Sequence, residues 1–314
     1  MFFKAKPMVA ALFVAGTLVL SGCNDDNTQA QQSETPELSA EQQDIAKYNA
    51  FIEVANGARF AETLISYQKY YAEKIQKKKP LTDYSVVSPY NIKMTRENLD
   101  KALALTGNLP ELDATAKPLN DALVKLEPIN AELNNYAESK GYLSDKGKKA
   151  QEKDAEYIAA LTDVVKAQEA FLDAISKRDE INTRTAFEKA EKDSVDYYRA
   201  GIVLYAKQAA NRSQDFFESA GEQKTADAFN ESLDKLNEMA DGWNKKMSET
   251  HAKGCTNLVM QVNSLLSSGR DAIAHAARGD YKRKTAYMTP TYFDEQAVSQ
   301  GFNNVINSLN QQQC

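Results

Sequence analysis

The sequence predicts an all-α protein, an elongated bundle of long antiparallel helices behind a cleaved signal peptide and a polar tether. Three observations carry this. Apolar side chains recur at alternating spacings of three and four in three long runs. No stretch alternates apolar and polar as a half-buried strand would. The 314 residues include only 13 Gly and 8 Pro, with 26% charged and 42% apolar residues, enough for a real core without the turn density of a β-rich chain. The formal charge is −6 and the pI near 5.3, which argues against nucleic acid as a partner because its binding needs clustered positive charge.

The first element is not part of the fold. Lys4 and Lys6 precede an apolar run from Met8 to Leu20, long enough for a signal peptide and too short to span a membrane. Leu20-Ser21-Gly22-Cys23 follows directly. This tetrapeptide resembles the lipobox of bacterial lipoproteins, in which small residues admit a peptidase and the cysteine thiol takes a diacylglycerol. The resemblance implies cleavage between Gly22 and Cys23, loss of residues 1–22, and acylation (palmitate among the chains) of the new amino group of Cys23. At ~0.8 kcal/mol per buried methylene, several chains make a permanent membrane anchor. An ordinary cleaved signal with a cysteine nearby is the plainer alternative. Processing removes two lysines and no acid, so the balance moves from −6 to −8.

Asn24, not Asp, follows Cys23. By the sorting rule of enterobacterial lipoproteins, this points to the outer membrane, facing the periplasm. Residues 23–40 are then the lipidated cysteine and a polar tether without apolar periodicity, spanning roughly 20–25 Å as a flexible coil.

The helical domain runs from 41 to 314, as one bundle or as two packed sub-bundles divided near 178. Ser39 with Gln42 forms a capping box that opens a helix running to about Lys79, before Pro80. Its face includes Ile45, Tyr48, Ile52, Ala55, Ile65 and Ile75, widened by Phe51, Phe60, Leu64 and Tyr71. Residues 80–93 read as a loop, and a second helix starts near Thr95 and breaks around Gly107 and Pro110. A third follows Pro118, with Pro128 expected to kink it. Residues 140–153 read as a turn and a helix start.

The heptads come next: Ile158, Leu161, Val165, Gln168, Leu172 and Ile175, then Val195, Tyr198, Ile202, Tyr205, Ala209, Arg212 and Phe216. The third set is Ala226, Phe229, Leu233, Leu236, Ala240, Trp243 and Met247. Helices over about 255–278 and 291–312 complete the chain.

Few residues suggest chemistry. With Cys23 committed to lipid, Cys255 and Cys314 are expected to pair in an oxidising compartment, closing a loop of about 60 residues worth on the order of 4 kcal/mol. A redox-active or intermolecular bridge is the rival, and no Cys-x-x-Cys supports it. His251 and Cys255 lie four apart, as a metal site would want, but the disulfide claims Cys255 and further ligands are not evident. Asp271 and His275 have the spacing of a surface ion pair. No metal or cofactor is expected. Asp193 and Asp196 read as a solvated face, with acid–base work as the alternative. Lys74, Lys77, Lys78 and Lys79 suit a helix C-terminus, or a contact with anionic lipid. Trp243 and the 15 tyrosines invite a ligand platform, although Tyr48, Tyr198 and Tyr205 sit where a bundle core needs them.

The stretch Asn135-Tyr136-Ala137-Glu138-Ser139-Lys140-Gly141-Tyr142-Leu143-Ser144-Asp145-Lys146-Gly147 resembles the YiiG-like bacterial lipoproteins. That family's helical domain has no assigned activity, so the resemblance implies the compartment and an α-helical fold and brings no catalytic residues. The imelysin-like metal binders use His-x-x-Glu, whereas His251 is followed by Gly254 and His275 by Arg278. The expected function is non-enzymatic: a lipid-anchored module or scaffold for an envelope protein or component. A small-molecule binder with an inter-helical pocket is the alternative. An envelope hydrolase has the least support, because no nucleophile–base constellation is visible.

Overall fold

The computed structural model describes residues 38–57, 60–250, 256–282 and 289–310. The signal segment, Gly22, Cys23, most of the tether, His251, Cys255 and Cys314 lie outside them. Every regular element among the described residues is helical, and none of these helices is long and apolar enough to cross a membrane. Cα packing divides the chain into two units, up to Lys177 and from Arg178 onward.

The first unit opens with α1 (Ala40–Gly57). Its capping box is reciprocal: the Ser39 N–H donates to Gln42 Oε1 at 2.9 Å, and the Gln42 N–H to Ser39 Oγ at 3.2 Å. In α2 (Phe60–Tyr67), a π turn (Gln68–Ala72) and α3 (Glu73–Gln76), the buried residues are Phe60, Leu64, Tyr67, Tyr71 and Ile75. The wider π turn suits the successive spacings of four from Tyr67 to Ile75. Phe51, Phe60, Leu64 and Tyr71, expected only to widen the face, are its centre, while Ile45 and Ile65 are half-exposed.

Two expected boundaries were misplaced, both at prolines. α4 (Pro89–Ala104) starts six residues before Thr95, with Pro89 in its first turn, where a missing N–H costs nothing. α5 (Pro110–Glu138) likewise starts at Pro110 and contains both Pro118 and Pro128. Interior proline costs ~3 kcal/mol because it strands the carbonyl four residues back. Here Pro118, Pro128 and the preceding Ala114 and Val124 all sit on the exposed face, so water reaches those carbonyls. Ten buried residues of α5, Leu119, Leu126 and Leu133 among them, offset the loss.

The α4–α5 connection presses on α1. A Cβ on Gly107 would lie 2.5 Å from the Gln43 carbonyl oxygen, so only glycine fits. Thr106 Oγ1 donates to Gln43 Oε1 (3.0 Å) and the Asn108 N–H to Asp44 Oδ1 (2.6 Å). Lys47, 3% exposed, pairs with Asp113 at 2.9 Å. After the short α6 (Gly141–Ser144) the chain enters α7 (Lys148–Lys189), which carries the unit boundary.

In the second unit, α8 (Val195–Glu218), α9 (Gln223–Thr250), α10 (Thr256–Ala277) and α11 (Pro290–Asn310) pack in a closed ring, α8 on α9, α9 on α10, α10 on α11 and α11 on α8. All seven residues of the third heptad set are buried on α9. On α8 the seam differs from expectation. Ile202, Ala206, Ala209, Ser213 and Phe216 are buried, whereas Tyr205 is half-exposed and Arg212 exposed.

Candidate functional site

The densest polar cluster lies inside the first unit. Six tyrosines form a continuous network: Tyr67 packs on Tyr157, Tyr71 and Tyr84 with ring centroids 5.0, 5.3 and 6.1 Å apart. Tyr84 continues to Tyr136 (5.8 Å), and Tyr136 to Tyr142 (6.3 Å). The hydroxyls are engaged. Tyr67 donates to Asp154 Oδ1 at 3.0 Å and lies 3.2 Å from the Tyr84 hydroxyl. Tyr71 reaches Ser85 at 3.2 Å, and Tyr136 donates to Asp145 at 2.6 Å. The Val87 N–H donates to Tyr157 Oη (3.0 Å) and Asn130 Nδ2 donates to the Val87 carbonyl (2.9 Å), so both backbone groups of one loop residue are fixed in the core.

Burial dominates the electrostatics here. It pushes the Tyr84 hydroxyl up to about 12 and those of Tyr67, Tyr136 and Tyr157 higher still. Burial also raises the half-buried Asp154 carboxyl, against the lowering effect of the Tyr67 hydroxyl. These tyrosines stay protonated at neutral pH.

Asp145 ties the cluster to the chain reversal. It accepts from Tyr136 and from the N–H groups of Gly147 (2.9 Å) and Lys149 (3.0 Å), capping the first turn of α7. Gly147 has φ +86°, a conformation glycine adopts without strain. The Asn135–Gly147 stretch is thus the α5–α6–α7 connection. The sequence reading missed Tyr67, Tyr84, Asn130, Asp154 and Tyr157, which are scattered over 90 positions without a shared motif.

On the outer side of the same unit, α5 and α7 border an open groove of about 500 Å³. Pro118, Ala122, Ala160 and Ala167 form its small-residue floor, and Asp121, Lys125, Asp163 and Lys166 its rim.

In the second unit, His275 does not pair with Asp271 as its spacing suggested. Its Nδ1 lies 2.7 Å from Asp294 Oδ2 on α11, which also accepts from the Tyr281 hydroxyl at 2.8 Å. The i,i+4 expectation failed because a carboxylate on the adjoining helix is closer to the ring. Asp193 lies before α8, not within a helix. It holds φ +64°, bonded to Lys246 Nζ (2.8 Å) and the Tyr198 hydroxyl (2.7 Å), while Asp196 is exposed in the first turn of α8. Trp243 is 1% exposed and Tyr48 5%, whereas Tyr198 and Tyr205 are half-buried. Lys74 pairs with Asp83 (3.1 Å), and Lys77 and Lys79 with Glu73 (2.8 and 3.7 Å). Among the described residues no group of three or more His, Cys, Asp or Glu side chains is placed to hold a metal ion.

The family described as "Protein of unknown function (DUF3829)" matches residues 42–311. The chain belongs to this family. The DUF3829 match takes in nearly all the described residues of both units, including the tyrosine cluster, the groove and the His275–Asp294 pair. No curated protein and no solved structure matches the chain.

Proposed function

We propose that the chain is a lipid-anchored lipoprotein of the bacterial cell envelope whose DUF3829 domain acts as a non-enzymatic binding or scaffold module. Lys4, Lys6, the Met8–Leu20 run and the Leu20–Cys23 lipobox support the anchor, and Asn24 supports the outer membrane, facing the periplasm. The YiiG-like character of residues 135–147 agrees with that compartment. One observation carries the non-enzymatic reading: the core hydroxyls and carboxylates that could do chemistry are bonded to one another, Tyr67 to Asp154 and Tyr136 to Asp145. A tyrosine platform would hold its hydroxyls free for a ligand. Recognition then falls to the outer faces of the helices, with an envelope protein or component as partner. On the same reading Cys255 and Cys314 are joined.

The test is membrane fractionation of Cys23→Ala beside the wild type, with native mass spectrometry of the released chain. Release of the variant from the pellet is expected, with an intact mass two hydrogens light and no adduct. Retention in the pellet would overturn the anchor. A small molecule lost on denaturation would replace the scaffold reading with the inter-helical pocket.

A further inference from the structure

One end of the first unit carries positive charge that its own structure does not use. Segments 73–83 and 138–149 hold eight lysines against four acids, in a chain of net charge −6. The two segments meet directly: a Cβ on Gly147 would lie 2.7 Å from Leu81 Cγ, and the Tyr84 ring packs on that of Tyr136. Five of the lysines pair with nearby acids, Lys74 with Asp83 at 3.1 Å and Lys149 with Glu132 at 3.0 Å among them. Lys78, Lys140 and Lys146 are exposed and, among the described residues, make no ion pair or side-chain hydrogen bond.

Local structure does not account for these three. They hold φ of +50°, +53° and +57°, the left-handed region where a Cβ is unfavourable and glycine is the ordinary occupant. Helix dipoles favour Lys78 and Lys140, which follow the C-termini of α3 and α5. They disfavour Lys146, Lys148 and Lys149, which crowd the N-terminus of α7 in place of acids. Leu143, 58% exposed, lies midway between Lys140 and Lys146 on α6.

We propose that this end of the unit docks on a membrane surface, its unpaired lysines on anionic phospholipid headgroups and Leu143 in the headgroup layer. Lysines around one exposed leucine match a lipid surface, where acyl chains lie directly beneath the phosphates. A hydrated polyanion would answer the lysines alone. The chain enters α1 at the opposite end of α5, where Gly107 meets Gln43, roughly 43 Å away along that helix. The contact is therefore separate from the Cys23 anchor. It rests on the binding-module reading and names the envelope component. Three lysines bind too weakly to keep an unanchored chain in a salt-washed pellet, so fractionation still reports the anchor.

The experiment uses the Cys23→Ala chain, which has no acyl chain of its own, in flotation with two kinds of vesicle: equimolar phosphatidylglycerol and phosphatidylcholine, and phosphatidylcholine alone. Binding to the anionic vesicles only is expected, falling as salt shortens the Debye length. Each unpaired lysine contributes roughly five-fold to partitioning, so Lys78→Gly, Lys140→Gly and Lys146→Gly together should lower it about a hundred-fold. Glycine suits those φ angles, so this triple variant should melt no lower than its parent, which separates lost binding from lost folding. Lys101→Gln, Lys117→Gln and Lys125→Gln remove the same charge from exposed positions of α4 and α5 and should change partitioning less than about two-fold. No binding to the anionic vesicles, equal binding to neutral ones, undiminished binding of the glycine variant, or an equal loss in the glutamine control would overturn the proposal. So would binding to soluble polyglutamate in place of vesicles, which would make the partner an acidic protein. Each of these failures leaves the release of Cys23→Ala and the intact mass unchanged, and so is distinct from a failure of the anchor.

Discussion

In the second unit, α9 buries an unbroken apolar seam from Ala226 to Met247, and two of the unit's buried serines bond within their own helices, Ser213 to the Ala210 carbonyl at 2.8 Å and Ser232 to that of Ala228 at 3.0 Å, while Ser308 accepts from Asn257 Nδ2 at 3.3 Å. The first unit has an equally full apolar core, yet its buried hydroxyls reach across the sequence. Tyr67 bonds Asp154, 87 positions away, and Tyr157 bonds Val87, 70 away. Apolar seams tolerate sliding, because one methyl contact resembles another. Long-range hydrogen bonds between buried groups do not, because each broken one leaves a desolvated donor or acceptor. The second unit therefore combines a periodic seam with part-buried cross-links, Arg199 to the Leu309 carbonyl at 3.0 Å and Lys207 to Asp179 at 2.6 Å, whereas the first sets its hydroxyl and backbone contacts inside the core, where they fix which segments meet.

Truncation of the seam should show the largest effect. Leu236→Ala removes a fully buried side chain and is expected to cost ~2–5 kcal/mol. Trp243 is the sole tryptophan, is buried on the same helix, and so reports this unit alone in a denaturant titration followed by fluorescence. The polar counterpart is Tyr157→Phe, which keeps the ring and strands the Val87 N–H. Its expected cost is ~1–3 kcal/mol, read from the tyrosine near-UV circular dichroism. If Tyr157→Phe leaves the first unit's midpoint unchanged, the hydroxyl network is incidental and the two units differ only in composition.

Legibility in the sequence follows the same division. The α9 seam could be read residue for residue, and the capping box at Ser39 and Gln42 formed as its spacing implied. On α8 the phase was wrong because Tyr205 and Arg212 sit next to the residues that are buried, Ala206 and Ser213, and small side chains give a weak periodic signal. Pro118 and Pro128 misled because their cost depends on whether the stranded carbonyl meets water, which a sequence does not state. The tyrosine network was illegible for a deeper reason. Its members come from α2, the π turn, the loop before α4, and α5 to α7, and only tertiary packing brings them together. His275 failed similarly, since its partner Asp294 is 19 positions away.

The smallest effect gives the sharpest contrast, because Asp154 in the first unit and Asp193 in the second each accept a tyrosine hydroxyl and the two shift in opposite directions. Burial raises the Asp154 carboxyl, with no cation among the described residues to offset it. Lys246 first, and Tyr198 second, hold Asp193 below the usual range. For Asp154, the folded state favours the protonated form. Its contribution is fully present below the ordinary aspartate value of about 3.9 and is lost as pH rises through the raised one. For Asp193 the sign reverses: its contribution is present above about 3.9 and is lost as pH falls through the lowered value. Asp154→Asn should therefore raise the first unit's midpoint at pH 7 and lose that advantage towards pH 3. Asp193→Asn should lower the second unit's midpoint at pH 7 and converge on wild type in acid. Thermal melts between pH 3 and 7, followed separately by tyrosine circular dichroism and Trp243 fluorescence, read both. Should the two variants shift their units in the same direction at pH 7, burial does not govern Asp154, and the first unit's polar core is as well solvated as the second unit's surface.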